Sequence, residues 1–137
     1  MSMSTEAAVE TRPISLAEME VRSEIIPALS SLPPSTLRQL QPAAMLHSLQ
    51  ADTFLPENLR KNMMLFVVSG ALHVLLPTDK VFQSLATGAS CSTADFEEMQ
   101  LNARASDDGC VLITIKKSTF RSAMLERDAD YQVSTHD

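Results

Sequence analysis

The side chains able to do chemistry in this chain are few and far apart. There are three histidines, His47, His73 and His136, and two cysteines, Cys91 and Cys110. No histidine stands at metal-ligand spacing from another histidine, a cysteine or a carboxylate, so no metal site is expected. The cysteines form no C-x-x-C pair, and two thiols make a poor disulfide framework, so both are read as reduced. Cys91 has neutral or acidic neighbours, which do not lower a thiol pKa. Cys110 opens an apolar strand and is expected in the core. His47 is placed on a helix as a surface or packing residue. His73 follows Ala71-Leu72 in a strand, with the interior as its expected direction, and His136 lies in the tail. Ser90, Ser92 and Thr93 cluster, yet there is no G-x-S-x-G step and no base beside them. With three glycines in all, the chain has no phosphate-cradling loop. The carboxylates of "AEMEVRSE" and "DFEEM" read as solvated faces. A metal enzyme of cupin type would need several histidines and a carboxylate around one ion, which this chain lacks. No catalytic role and no cofactor are expected.

The whole chain sets further bounds. Its 137 residues are 45% hydrophobic and 20% charged, a globular composition. Seventeen acidic residues against eleven basic ones leave a net charge of −6, which argues against nucleic acid and anionic membranes as partners. The opening "MSMSTEAAVETR" has no apolar signal core, and no run is long enough to span a bilayer, so membrane insertion is not expected. Reduced thiols and the lack of a signal point to a cytoplasmic, intracellular protein. The expected organisation is a flexible segment 1–13, a single domain 14–131 and a tail 132–137.

The elements that must position these residues follow from periodicity. "SLAEMEVRSEIIPAL" reads as a helix with Ser15 and Glu18 as a capping box, bent or ended by Pro27. "PPSTLRQLQPAAMLHSL" starts a second helix at its prolines, and Pro42 breaks it. From Asp52 the pattern turns to strands. Phe54 begins a short one, and "LPEN" is a turn. "MMLFVVSGALHVLL" (63–76) is too short for a membrane and too long for an ordinary strand, so Gly70 is expected to divide it at a bulge or bend. "LPTDK" turns, 81–85 is a strand, and "ATGAS" turns again. Residues 91–101 are ambiguous. "SDDG" (106–109) reads as a turn before the strand "CVLITI", and Ser118 as the cap of a closing helix. Short strands at even spacing favour a barrel, sandwich or jelly roll. The fold class is therefore mainly β with flanking helices (α+β): an antiparallel β-roll or jelly roll with N-terminal helices and a C-terminal helix.

That order, with four quoted stretches, resembles the cyclic nucleotide-binding domain superfamily from about Ile26 to Glu126. "IPALSSLPPSTLRQLQPAAMLHSLQADTF" is similar to the entry helices and first strand. "LFVVSGALHVLL" resembles the strand, Ser-Gly step and strand at the heart of the roll. "VFQSLATGAS" resembles the strand and Gly turn that lead into the ligand cassette, and "CVLITIKKSTF" the last strand and closing helix. The resemblance implies a ligand cassette in which a Gly-Glu step holds a ribose and an Arg holds a cyclic phosphate.

Here that cassette departs. Counting from Gly88, the Gly-Glu step falls on Ser92-Thr93, and Thr93 brings a hydroxyl without a charge. Glu97 and Glu98 follow where neutral or cationic groups would be expected, and Arg104 reads as part of the next strand. Losing a carboxylate and a guanidinium removes charge-assisted hydrogen bonds of about 1.5–3 kcal/mol each. Little affinity for cyclic nucleotides is expected. What remains implied is a vestigial pocket at Val68, Gly70, Leu85, Gly88, Ser90, Ser92, Thr93 and Arg104. Two functions compete. One is a regulatory or scaffolding module that acts through a protein partner, with the first helix as a candidate contact. The other is a small-molecule sensor of altered specificity, for a nucleoside, a lipid or, at the margin, a cyclic nucleotide.

Overall fold

The computed structural model describes residues 8–135. In chain order the elements are β1 (Val9–Pro13), α1 (Leu16–Ser23), α2 (Pro27–Ser30), α3 (Pro34–Leu40), β2 (Met45–Leu49), β3 (Met63–Leu75), β4 (Val81–Ala86), β5 (Ser90–Ser92), α4 (Phe96–Met99), β6 (Asn102–Lys116) and α5 (Lys117–Thr135). The strands pair antiparallel in the order β1-β2-β6-β3-β4, and β5 joins the first half of β3. This is the expected mainly β roll with helices at its ends.

Burial splits along the strands. On β3, Leu65 and Val67 face one apolar cluster, with Leu49, Leu72, Val74, Leu85, Ala103, Ala105, Cys110 and Leu112, which fills the roll. Phe66 and Val68 face the other, where Leu29, Leu37, Leu40 and Ala123 of the helices cover the sheet. Phe66 meets Phe120 of α5 with ring centroids 5.7 Å apart. So the first half of the long apolar run, Leu65–Val68, is buried on both faces, which is why it reads as a continuous hydrophobic stretch rather than an alternation.

Gly70 does not divide β3 into two strands; it bends one. The inward residues are odd-numbered before it (Leu65, Val67) and even-numbered after it (Leu72, Val74). The partner strand makes the same switch, from Ala103 and Ala105 to Cys110 and Leu112. The register moves from Gly70↔Cys110 to Leu72↔Ala105, so Ser106–Gly109 of β6 bulge out opposite Ala71. This corrects the expected "SDDG" turn: its turn chemistry is used inside a strand. The Ser106 hydroxyl donates to the Gly109 carbonyl at 3.2 Å and accepts the Asp108 N–H at 3.4 Å, while Gly109 sits at φ 82°. Gly70, at φ 75°, lies so close that a Cβ there would be 2.2 Å from the Gly109 carbonyl oxygen. Only glycine fits both the angle and the gap.

Several local expectations need correction. Val9–Pro13 are not loose; they pair along their length with β2 as an edge strand, where a terminal Pro is tolerated. Residues 1–7 and 136–137 lie outside the described residues, and 132–135 belong to α5. Ser15 does accept the Glu18 N–H at 3.1 Å, but the Glu18 carboxylate does not return to close a capping box. It pairs with Arg12 at 2.7 Å and Arg22 at 2.9 Å, and these two guanidinium groups hold it down at about pKa 2. Phe54 makes an isolated bridge with Arg104 rather than a strand. The closing helix starts at Lys117, so Ser118 lies inside it.

His47 is on β2, not a helix. It is 4% exposed, on the strand face that carries Leu49. Its Nδ1 is hydrogen-bonded to the Thr11 hydroxyl at 2.8 Å and its Nε2 to the Thr114 hydroxyl at 2.7 Å. A neutral imidazole has one N–H and one lone pair, and a hydroxyl can answer either. Burial pushes the ring down to about pKa 4. The native chain thus keeps a neutral ring while the unfolded chain protonates near 6.5.

Two outcomes follow. Gly70→Ala is expected to lower stability by about 3 kcal/mol or more, seen as a reduced urea midpoint, because main chain cannot move aside. An unchanged midpoint would contradict the bend. For His47, the unfolded state takes up a proton that the native state refuses between 6.5 and about 4. Stability should therefore be flat above about pH 7 and fall on acidification through that window, by about 3 kcal/mol. In His47→Gln that part of the pH slope should vanish; an identical slope would place the acid sensitivity elsewhere.

Candidate functional site

The segment with the hydroxyl cluster begins at a turn. Gly88, at φ 94°, donates its N–H to the Val67 carbonyl at 2.8 Å. A Cβ on Gly88 would stand 2.7 Å from the Ile25 carbonyl oxygen, so the turn is pressed against the residues just after α1. The chain then pairs as β5 against Met64, Leu65 and Phe66 of β3. At its end Thr93 is 1% exposed. Its N–H donates to the Met63 carbonyl, and its hydroxyl accepts the Met63 N–H, both at 2.9 Å. Ser92 Oγ accepts the Ala94 N–H at 3.1 Å, which turns the chain into α4. Phe96 is buried and anchors that helix, leaving Glu97 and Glu98 exposed. Gln100 closes it in the left-handed region at φ 55°.

The eight candidate pocket residues are only partly brought together. Gly88, Ser90, Ser92 and Thr93 follow one another beside β3. Leu85 lies inside the roll, whereas Val68 lies in the helix-facing layer on the opposite side of the sheet. Gly70 sits at the bend. Arg104 is on β6 between Ala103 and Ala105, which both face the roll interior, so strand alternation turns Arg104 outward. There its guanidinium stands over the Phe54 ring, 5.9 Å from the centroid. His73 likewise faces outward rather than inward, since Leu72 and Val74 line the interior; its Nδ1 is hydrogen-bonded to Ser84 at 2.8 Å.

Two clefts open elsewhere, and none of the eight residues lines either. One of about 400 Å³ lies beside α4, with Arg60, Asp79 and Glu97 over Leu76, Phe96 and Leu101. The other, of about 440 Å³, is at the start of α5 between Asn62, Lys117 and Arg121. Both thiols are free, and burial pushes Cys91 up to about 11 and Cys110 up to about 12, so neither is a nucleophile at neutral pH. Among the described residues no group of three His, Cys, Asp or Glu side chains could hold a metal, and no helix is long and apolar enough to cross a membrane.

No model of a known protein family matches the chain, and no curated protein matches it. Solved structures do. A cyclic nucleotide-binding domain from Methylobacillus flagellatus superposes with TM-score 0.61 at 11% identity, over 88% of this chain and 73% of that one. The fold is that of the cyclic nucleotide-binding domain. The regulatory domain of Toxoplasma gondii PKA, solved with cAMP, has the same fold at TM-score 0.62 and 9% identity, over 89% of this chain and 50% of that one. So does the regulatory subunit of a cAMP-independent protein kinase A from Trypanosoma brucei, as a mutant bound to cAMP in its A site. There the TM-score is 0.64 at 14% identity, over 89% of this chain and 52% of that one. The chain thus spans about half the length of these two kinase regulatory chains.

Within this fold, Thr93 is a clamp on β3. Its use by Met63 was not legible in the sequence, since nothing local signals a partner thirty residues away. Thr93→Val should strip the Met63 N–H of an acceptor and cost about 1–2 kcal/mol. Chemical denaturation measures this, and equal stability of the variant would refute the clamp.

Proposed function

We propose that this chain is a non-catalytic regulatory or scaffolding module that works by binding another protein, in a cyclic nucleotide-binding fold whose cassette no longer holds a nucleotide. The observation that carries this is Thr93. At the position where the resemblance calls for a ribose carboxylate, the side chain is buried and its hydroxyl is already taken by the Met63 N–H. The outward face of Arg104 and the exposed Glu97 and Glu98 support the same reading: the guanidinium is not beside the cassette, and the nearby charges repel a phosphate. The trypanosomal neighbour is itself described as cAMP-independent, so the fold and cyclic-nucleotide control are separable. A single functional domain in an intracellular, cytoplasmic setting completes the proposal, in keeping with two cysteines that form no disulfide.

A second function is favoured by one observation, the cleft of about 400 Å³ beside α4. Its volume is in the range of small-molecule sites. A sensor would use this cleft rather than the cassette.

A thermal-shift screen against cyclic nucleotides, nucleosides and lipids separates these. A ligand at about 100 times its Kd adds about 2.7 kcal/mol, a shift of several degrees. No shift with cAMP or cGMP is the expected result. A clear shift with either would refute the loss of the cassette, and a shift confined to uncharged ligands would favour the sensor.

A further inference from the structure

Across the outer face of the roll, four side chains from three strands and one isolated bridge stand in one row. Ser84 of β4 is opposite His73 of β3, His73 is opposite Arg104 of β6, and Arg104 bridges to Phe54. Each interior residue beside them (Leu72, Val74, Ala103, Ala105) points the other way, into the roll. The row has two hydrogen-bonding groups at its centre. Arg104 makes no ion pair among the described residues, and its Nε is buried with no partner. His73 is held at Nδ1 by Ser84, and its Nε2 has no partner among the described residues. When the Ser84 hydroxyl donates to Nδ1, Nε2 carries the proton and becomes a second donor.

The surroundings say what would answer these donors. The chain is acidic overall, yet the row itself contains no carboxylate. A guanidinium fork beside an imidazole N–H matches the two oxygens of a carboxylate. Phe54 is 47% exposed and holds the guanidinium over its ring. On the far side of the row β4 is the last strand of the sheet, where Phe82, two residues from Ser84 and on its face by strand alternation, is 51% exposed. Arginine and aromatic residues together are the composition of protein-interface centres. Phe54 and Ser84 are exposed and His73 and Arg104 are half-buried between them, and none of the four lines either described cleft, so the row is reached from the outer surface. Small ligands need concave sites to bury their surface; open faces suit macromolecules.

We propose that this row is a docking surface for a protein partner that presents an Asp or Glu side chain, with the carboxylate on Arg104 and His73 and apolar flanks on Phe54 and Phe82. This rests on the interaction-module function and names its surface and the chemistry of its partner.

The test is selection of a displayed random-peptide library on the full chain, followed by titration of the enriched peptide into the 15N-labelled full chain. The enriched peptides should carry an acidic residue between apolar ones. Binding should weaken roughly tenfold or more in Arg104→Gln and for the peptide with Gln in place of its acidic residue, and should fall with salt. On the wild-type chain the largest amide shifts should lie at Phe54, His73, Ser84 and Arg104, a readout that does not depend on any variant folding. Peptides without an acidic residue, shifts centred elsewhere, or equal affinity for Arg104→Gln would overturn this surface while leaving the interaction module standing. No enriched peptide would also overturn it. Cyclic-nucleotide binding in the thermal-shift screen is the separate result that removes the parent function.

Discussion

The roll depends on one close approach of main chain to main chain. β3 and β6 are each long enough to serve both layers of the roll, and each must keep an apolar face inward in both. A regular strand cannot do so once it turns a corner, because its side chains alternate strictly. Two register shifts solve this together: β3 changes its inward parity at Val68, between Val67↔Leu112 and Ser69↔Val111, and β6 changes its own at the Ser106–Gly109 bulge just past Gly70. Two glycines, both at positive φ, let the backbones meet there. The loop after β2 joins the same corner, since the Asp52 N–H donates to the Ser106 carbonyl at 3.1 Å and the Ala105 N–H to the Thr53 carbonyl at 2.8 Å. The core, the register and the direction of every side chain on the second layer follow from that corner.

How much of this was legible depended on whether the signal was local. The strands at 63–75, 81–86 and 110–115 announce themselves by apolar runs bounded by turns, and Gly70 stands out as a glycine amid β-formers. β1 was not legible, because "VETRP" has no alternating apolar face; it is held by pairing with β2 and by the Arg12–Glu18 pair. His47 was misplaced because the few apolar residues around it fit a short helix and a short strand equally well. "SDDG" carries strong turn chemistry, and the structure does use it as a turn, but inside a strand pair that only distant partners define. Among the site residues, the use of Thr93 by Met63 was not legible. The outer row needed the register of several strand segments, although one cue existed: His73 lies between Leu72 and Val74, and alternation sets it opposite to both.

The segment after the Gly88 turn is tied to the sheet by its own side chains. Thr93 exchanges two hydrogen bonds with Met63, Ser92 caps the turn that follows, and Phe96 plugs the interior. These hydrogen bonds join β5 to β3 and leave the Thr93 hydroxyl engaged with main chain. The buried His47, farther along the sheet, is likewise satisfied by two threonines.

The pairing that builds the corner also governs how the chain reaches it. β3 and β6 pair residues far apart in sequence, Met63 with Lys116 at one end and Leu75 with Asn102 at the other. Loop entropy must be spent across that interval before the central contacts form, so the rate-limiting step is non-local. Among the described residues the β3–β4 hairpin is the strand pair that closes within a short stretch, through the Leu76–Lys80 turn. A topology of this kind is expected to dock β6 late, and in any state that lacks β6 the long apolar strand at the centre would stand open on an unpaired edge.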